Sequence, residues 1–256
     1  MSRKISDLPY NDNQKLDLHL SDSPGQPLVV CIHGGGFISG DKADERCRQS
    51  AAILTAAGFN MASLSYSLAT ADDRFSKWPR NLFDIADAMV WLSKHAQQYG
   101  YDFNRLGMLG FSAGCCLSNL YILGGKQLFD RFSYDTAVFE PAALAGFYGP
   151  YDFPSRQQER RSGDDQLNLE HSPSYWFKEN GRAAPPVLHI HGNHDTVVYP
   201  DQPARFQADY RSRNLTFTAI IAEGFGHSFA PRDTNDSGES IDLGREIADF
   251  FSLHLA

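Results

Sequence analysis

The sequence predicts a single α/β domain, a mainly parallel sheet with helices on both faces. Three observations predict it. Short apolar runs alternate with helical patterns along the 256 residues. Several runs are continuously apolar, as strands covered on both faces are. The helical stretches between them are long enough to carry the chain from one parallel strand to the next. A hydrophobic fraction of 42% and a charged fraction of 21% are those of an ordinary globular chain, and no repeat, low-complexity tract or linker divides it.

Strands are expected at 16–20, 28–33, 59–66, 105–109, 143–147, 186–191 and 215–221. The helix expected at 44–57 is followed by Gly58, a C-terminal stop. That at 81–98 carries Leu82, Ile85, Ala86, Met89, Val90 and Leu92 at near-helical spacing, with Pro79 just upstream. Further helices are expected at 113–123, 202–212 and 241–255. Residues 151–184 break the alternation. This stretch is polar, charged at Arg156, Glu159, Arg160, Arg161, Asp164 and Asp165, and carries the aromatic patch Tyr175-Trp176-Phe177 near its end. So long a connection is usually functional or mobile, and it reads as an insertion over the open edge of a site rather than a second domain.

The net charge of −8 argues against nucleic acid, polyphosphate or an anionic membrane as partner. No apolar run approaches the ~20 residues that cross a bilayer, and the N-terminus lacks the apolar core of a secretory signal. Of the four cysteines, Cys115 and Cys116 are adjacent and awkward disulfide partners, while Cys31 sits in an apolar run with Cys47 further on. No spacing suits zinc, so reduced, partly buried thiols and a cytoplasmic setting are expected. Oligomeric state is not encoded in any motif.

The chemistry concentrates at the ends of the expected strands. G-F-S-A-G at 110–114 stands between the run 105–109 and the helix from 113. That strand–turn–helix context makes Ser112 a nucleophile on a sharp turn, flanked by residues small enough for the strand and helix to approach closely. A serine needs a base to take its proton and an acid to orient that base. Asp195 follows the strand at 186–191, and His227 follows the strand at 215–221, with glycines at 224 and 226 that let its loop fold back. Both lie at the carboxyl ends of strands, where open α/β sheets bind ligands. H-G-G-G-F at 33–37 follows the strand at 28–33, and its exposed backbone N–H groups suit a developing oxyanion. Gly35, Gly36 and Ala113 are the expected donors, each worth ~3 kcal/mol in the transition state.

These segments, with H-G-N-H-D at 191–195, G-H-S-F at 226–229, Tyr66-Ser-Leu68 and Trp78-Pro79, resemble the α/β-hydrolase superfamily, and most closely its hormone-sensitive-lipase-like and small bacterial carboxylesterases. The resemblance spans residue 28 to the C-terminus. It implies an α/β-hydrolase fold, an acyl-enzyme, a triad of Ser112, Asp195 and His227, and no cofactor. The segment before Leu28 is too short for the helical cap of the hormone-sensitive-lipase branch, so the chain reads as a cap-less esterase, near acetyl-xylan, feruloyl and arylformamidase-like relatives. Cys115 and Cys116 depart from the pattern, since relatives often carry a further glycine after the turn.

The run His189-Ile-His191-Gly-Asn-His194-Asp195 also resembles the metal-binding run of metallo-hydrolases. That pattern wants an aspartate before its third histidine, where Asn193 stands, so no metal is expected. His189 and His191 read as strand residues and His194 as a loop residue. Phe37, Tyr151 and Trp176 are the candidate substrate-binding aromatics. The expected activity is hydrolysis of small, uncharged carboxylic esters. The alternatives are an arylformamidase-like amide or formamide hydrolase with the same triad, or a non-catalytic ligand binder on the same scaffold.

Overall fold

Along strand 26–32, Leu28, Val30 and Ile32 point into one apolar cluster, and Val29 and Cys31 into another. That alternation is the mark of a strand covered on both faces. In a computed structural model, which describes residues 3–153, 169–181 and 183–256, this strand lies near the middle of an eight-stranded sheet. The strands are β1 (Arg3–Pro9), β2 (Lys15–Leu20), β3 (Gln26–Ile32), β4 (Asn60–Leu64), β5 (Tyr101–Phe111), β6 (Ala143–Phe147), β7 (Val187–Gly192) and β8 (Phe217–Ala222). Their spatial order is β1-β2-β4-β3-β5-β6-β7-β8. β2 is antiparallel to both neighbours, and every pair from β4 to β8 is parallel.

Among the described residues, six helices cover the two faces. α2 (Arg80–Tyr99), α3 (Ala113–Arg131), α4 (Pro173–Asn180) and α5 (Asp201–Ser212) bury Leu82, Met89, Leu117, Leu120, Trp176 and Phe206 on one side. α1 (Glu45–Ala56) and α6 (Gly244–His254) bury Leu54, Ile247 and Phe251 on the other. Each such side chain contributes about 1.5–3 kcal/mol by leaving water. The chain leaves β3 for β4 on one side and reaches β5 on the other, so the carboxyl ends of β3 and β5 flank the point where strand order reverses. Parallel sheets open a crevice there.

The mainly parallel sheet with helices on both faces is as expected, with local differences. β1 was not anticipated. It is an edge strand with mostly exposed residues, so it lacks the apolar run that marks a covered strand. The buried Asp17 of β2 holds it, accepting from the Asp7 N–H at 2.9 Å and pairing with Lys4 at 2.9 Å. The helix expected to end at 123 runs to Arg131, interrupted at Gly125, where φ is 49°. The helix expected from 241 begins at Gly244, because Ser240–Asp242 (β10) pairs with Arg232–Thr234 (β9) in a small hairpin. Within the expected insertion, α4 is a regular helix with Pro173 at its start. Residues 154–168, and with them the charged group from Arg156 to Asp165, lie outside the described residues.

Two glycines set how closely α3 approaches the sheet. A Cβ on Gly110 would lie 2.5 Å from Cys115 Cα, and one on Gly114 would lie 2.2 Å from the Ile32 carbonyl oxygen and 2.4 Å from that of His33. Both obstacles are backbone and cannot swing aside. Cys115 fills the space that later glycines leave. Its sulfur occupies the room beside Gly146 and Gly149, 2.4 and 2.3 Å from where their Cβ atoms would stand. The thiol is fully buried, and burial pushes its pKa up to about 12. It is a packing group, which accounts for a cysteine where related turns carry glycine.

Gly114→Ala gains about 1 kcal/mol of helix propensity, but the clash with immovable backbone exceeds that gain, since overpacking costs about 1–3 kcal/mol or more. The variant is expected to lose about 1–2 kcal/mol net in urea unfolding. An unchanged or raised midpoint would contradict so close an approach.

Candidate active site

Ser112 sits between the end of β5 and the first turn of α3, at φ 48° and ψ −115°. This is a conformation that non-glycine residues hold only when their surroundings enforce it. Its N–H donates to the Phe147 carbonyl at 2.9 Å, and its carbonyl accepts from the Cys116 N–H at 3.0 Å. The turn is thus tied to β6 on one side and to α3 on the other. The residue is buried but not sealed, with 8% of its surface exposed.

The loop after β8 brings His227 to this serine. The distance from Ser112 Oγ to His227 Nε2 is 2.8 Å, and that from His227 Nδ1 to Asp195 Oδ2 is 2.7 Å. A carboxylate only accepts, so Nδ1 carries the ring proton. Nε2 therefore presents its lone pair to the serine hydroxyl. The three groups lie 115 and 32 residues apart in the chain and form one continuous hydrogen-bonded line.

Asp195 is buried and held by four donors. Its Oδ1 accepts from the N–H groups of Val197 and Val198, both at 2.8 Å. Its Oδ2 takes His227 Nδ1 at 2.7 Å and lies 3.3 Å from His191 Nε2. Burial opposes ionisation, but the hydrogen bonds from His191 and His227, with the charge of His227 and the Val198 N–H, outweigh it. The carboxyl is held well below the usual carboxylate range.

Two residues support this line without having stood out in the sequence. Tyr148 lies beneath His227, with ring centroids 4.7 Å apart in an edge-on contact, and its hydroxyl donates to the Phe229 carbonyl at 2.7 Å. The same side chain thus packs the imidazole and anchors the loop that carries it. Asn193 joins the acid loop to the base loop, since its Oδ1 accepts from the Gly224 N–H at 2.8 Å. The His194 N–H adds a second tie, to the Phe225 carbonyl at 2.9 Å. Tyr148 stands at a strand end and Asn193 in a loop, positions where polar residues are commonplace, so neither carries a sequence signal for this supporting role.

The glycine loop after β3 lies against the serine turn. A Cβ on Gly34 would lie 3.2 Å from Ser112 Cβ. Gly35 and Gly36 have φ of 116° and 61°. The Gly35 carbonyl is turned into the following turn, where it accepts from Ile38 and Ser39 N–H at 3.1 and 3.0 Å. Among the described residues no backbone carbonyl takes the N–H of Gly35 or Gly36. The Ala113 N–H opens α3, where the first N–H groups lack intrahelical partners. His33 braces the loop from below. Its ring stacks on Tyr66 at 4.3 Å, and its Nδ1–H donates to the Gly34 carbonyl at 2.6 Å.

The three aromatics expected to bind substrate are placed differently from one another. Phe37 follows the glycine loop and packs against Phe75 at 6.0 Å, which in turn meets Phe153 at 5.9 Å. All three are buried, Phe37 at 6% exposed and Tyr151 and Trp176 at 1% and 2%. Tyr151 stacks on Phe206 at 4.1 Å and donates to Asp209 at 2.8 Å, while Trp176 donates to the Glu170 carbonyl at 2.9 Å. Both anchor their segment to α5 and the core and do not form an open wall. His194 lies in the loop after β7, and no cluster suited to a metal ion occurs among the described residues.

This sheet order, with a serine on a strained turn after its central strand and a histidine and aspartate at neighbouring strand ends, defines an α/β-hydrolase. Residues 16–210 match the BD-FAE family, and the chain belongs to that family. The matched stretch includes Ser112 and Asp195. Among curated relatives, esterase LipC of Mycobacterium tuberculosis is 28% identical over 246 residues, covering 86% of this chain and 58% of that protein. The probable carboxylic ester hydrolase LipM of the same organism is 26% identical over 213 residues, covering 77% of this chain and 47% of its own length. The chain thus spans about half the length of these relatives. A truncated carbohydrate esterase from gut microbiota superposes with a TM-score of 0.81 at 19% identity, covering 99% of this chain and 96% of its own. These structural likenesses concern the fold.

Because the folded state holds Asp195 ionised, its contribution to stability is fully present above the pH where an unfolded carboxyl ionises, about 4. It is lost as pH falls through the lower folded value. The difference in unfolding free energy between wild type and Asp195→Asn is therefore expected to be flat above about pH 5 and to shrink in acid. Urea titrations at several pH values check this, and a difference that grows in acid would contradict it.

Proposed function

We propose that the protein is a serine carboxylesterase that hydrolyses small, uncharged esters through an acyl-enzyme. The observation that carries this reading is the unbroken line from Ser112 Oγ through His227 to Asp195, at 2.8 and 2.7 Å. Ser112 attacks the ester carbonyl as His227 Nε2 takes its proton. Asp195 keeps the imidazole in the required tautomer and stabilises the cation that forms. The carbonyl oxygen becomes an alkoxide, which the N–H groups of Gly35, Gly36 and Ala113 receive. His227 then gives its proton to the leaving alcohol. Water, deprotonated by the same imidazole, attacks the acyl carbonyl and frees Ser112 and the acid.

The esterase names of the relatives and the family membership support the reaction class. The chain's net charge of −8 supports an uncharged substrate, since an anionic one would be repelled on approach. Beside the glycine loop, the half-buried Phe75, backed by the buried Phe37 and Phe153 at 6.0 and 5.9 Å, supplies apolar surface for the substrate. The four cysteines are free and buried, which suits a reducing compartment such as the cytoplasm. No helix among the described residues is long and apolar enough to cross a membrane. We read residues 1–256 as one hydrolase domain, with 151–184 as an insertion beside the site.

Ser112→Ala is expected to lower turnover of 4-nitrophenyl acetate by several orders of magnitude and to abolish labelling by a fluorophosphonate. Near-normal turnover in that variant would end the mechanism. Faster turnover of N-formylkynurenine than of the acetate by the wild type would move the assignment to a formamide hydrolase with the same triad.

A further inference from the structure

β7 carries two buried imidazoles that the reaction above does not use. His189 and His191 are alternate residues, so both project from one face of the sheet, while Leu188 and Ile190 project from the other. The two rings are nearly parallel, with centroids 5.5 Å apart and planes inclined by 20°. Phe206 and Tyr210 of α5 and Phe217 of β8 pack around this face. His191 approaches the Asp195 carboxylate, its Nε2 lying 3.3 Å from Oδ2.

The hydrogen bonds assign the protons. His191 Nε2 lies 2.8 Å from the Val198 carbonyl oxygen. A carbonyl can only accept, so Nε2 carries a proton. The same nitrogen is 3.3 Å from Asp195 Oδ2, the oxygen that also receives His227 Nδ1–H. In a neutral ring His191 Nδ1 is then an acceptor, and His189 Nε2 lies 3.3 Å from it. His189 therefore holds its own proton on Nε2, and its Nδ1 is a buried lone pair without a hydrogen-bond partner. Burial pushes the His189 pKa down to about 3, so that ring is neutral at ordinary pH.

We propose that His191 is a positioning residue for the triad, dividing its Nε2–H between the Val198 carbonyl and Asp195 so that Oδ2 stays directed at His227, and that His189 locks the tautomer in which it does so. The inference rests on reading Ser112, His227 and Asp195 as the triad. Its physical content is twofold. The Val198 carbonyl and the Val197 and Val198 amides belong to the loop that wraps Asp195, so His191 ties that loop and the carboxylate to the rigid strand beneath. In addition, the His189 donor occupies His191 Nδ1. A second proton on His191 would need that donor to turn away. A cationic His191 would otherwise compete with His227 for the same carboxylate oxygen and weaken the stabilisation of the imidazolium that forms during catalysis.

The test compares His191→Leu, His191→Gln and His189→Leu with wild type in the full chain, using 4-nitrophenyl acetate turnover and the low-field proton NMR signal of the His227–Asp195 hydrogen bond. Groups that orient a metal-ligating histidine or carboxylate from behind typically contribute about 10–100-fold, and a group behind a triad carboxylate is expected to act on the same scale. His191→Leu is expected to lower kcat by about that factor, with KM within about twofold, and to shift or broaden the low-field signal. The amide of Gln reaches about as far as Nε2, so His191→Gln is expected to recover most of kcat and the signal. His189→Leu is expected to move the signal in the same direction, with a smaller loss of kcat.

A folded His191→Leu protein with wild-type kcat and an unmoved signal overturns the proposal. If His191→Leu does not fold, the other two variants decide it. Loss of kcat and signal in a folded His191→Gln, or an unmoved signal in a folded His189→Leu, overturns it. Ser112→Ala is the control that separates the two readings. Activity surviving Ser112→Ala defeats the triad itself, whereas a triad upheld by that control and indifferent to His191→Leu defeats only this inference.

Discussion

The turn at Ser112 depends on how closely α3 is pressed against the ends of β3 and β5. Gly110 and Gly114 permit that contact, with less than a carbon atom's room at either position. The result is a serine at φ 48°, held off the favourable regions of backbone space by bonds to Phe147 and Cys116. Strain of this kind costs about 1–3 kcal/mol and persists only where neighbouring structure over-determines the backbone. The parallel strands supply that structure. Their order places the glycine loop after β3 and the serine turn after β5 side by side at the point where the sheet reverses.

The electrostatic arrangement follows from the same geometry. Asp195 is deep enough to lose its water, yet four N–H groups replace that water and keep it ionised. The charge is fixed at one end of a line whose other end is the serine hydroxyl. His227 between them is held by Tyr148 from below and by the loop contacts of Asn193 and His194. Little has to reorganise when a cation forms on the imidazole, which is the property that makes a fixed carboxylate effective.

Much of this was legible in the sequence, for a local reason. The glycines around Ser112 and those at 34–36 are consequences of backbone approach, which depends on residues adjacent in the chain. Asp195 and His227 follow apolar strands by short loops, so their edge of the sheet could be read from order alone. What could not be read is side-chain direction. Tyr151 and Trp176 are aromatics in a segment near the site, and only the tertiary packing on Phe206 and Glu170 turns them inward. In the sequence Asn193 is the residue that spoils a metal-binding run, whereas in the structure it joins two loops. β1 was hidden because an exposed edge strand has no apolar run, and α4 because its apolar face is short.

The central claim is that Ser112 and His227 act as one unit, the imidazole moving protons only in steps that pass through the serine's attack and its acyl ester. A double-mutant cycle tests it most directly, through kcat/KM for an aryl acetate in Ser112→Ala, His227→Ala and the combined variant. The account predicts that the combined variant loses no more than the worse single variant, because the first substitution already removes what the second would disrupt. Losses that multiply, as independent contributions would, contradict it.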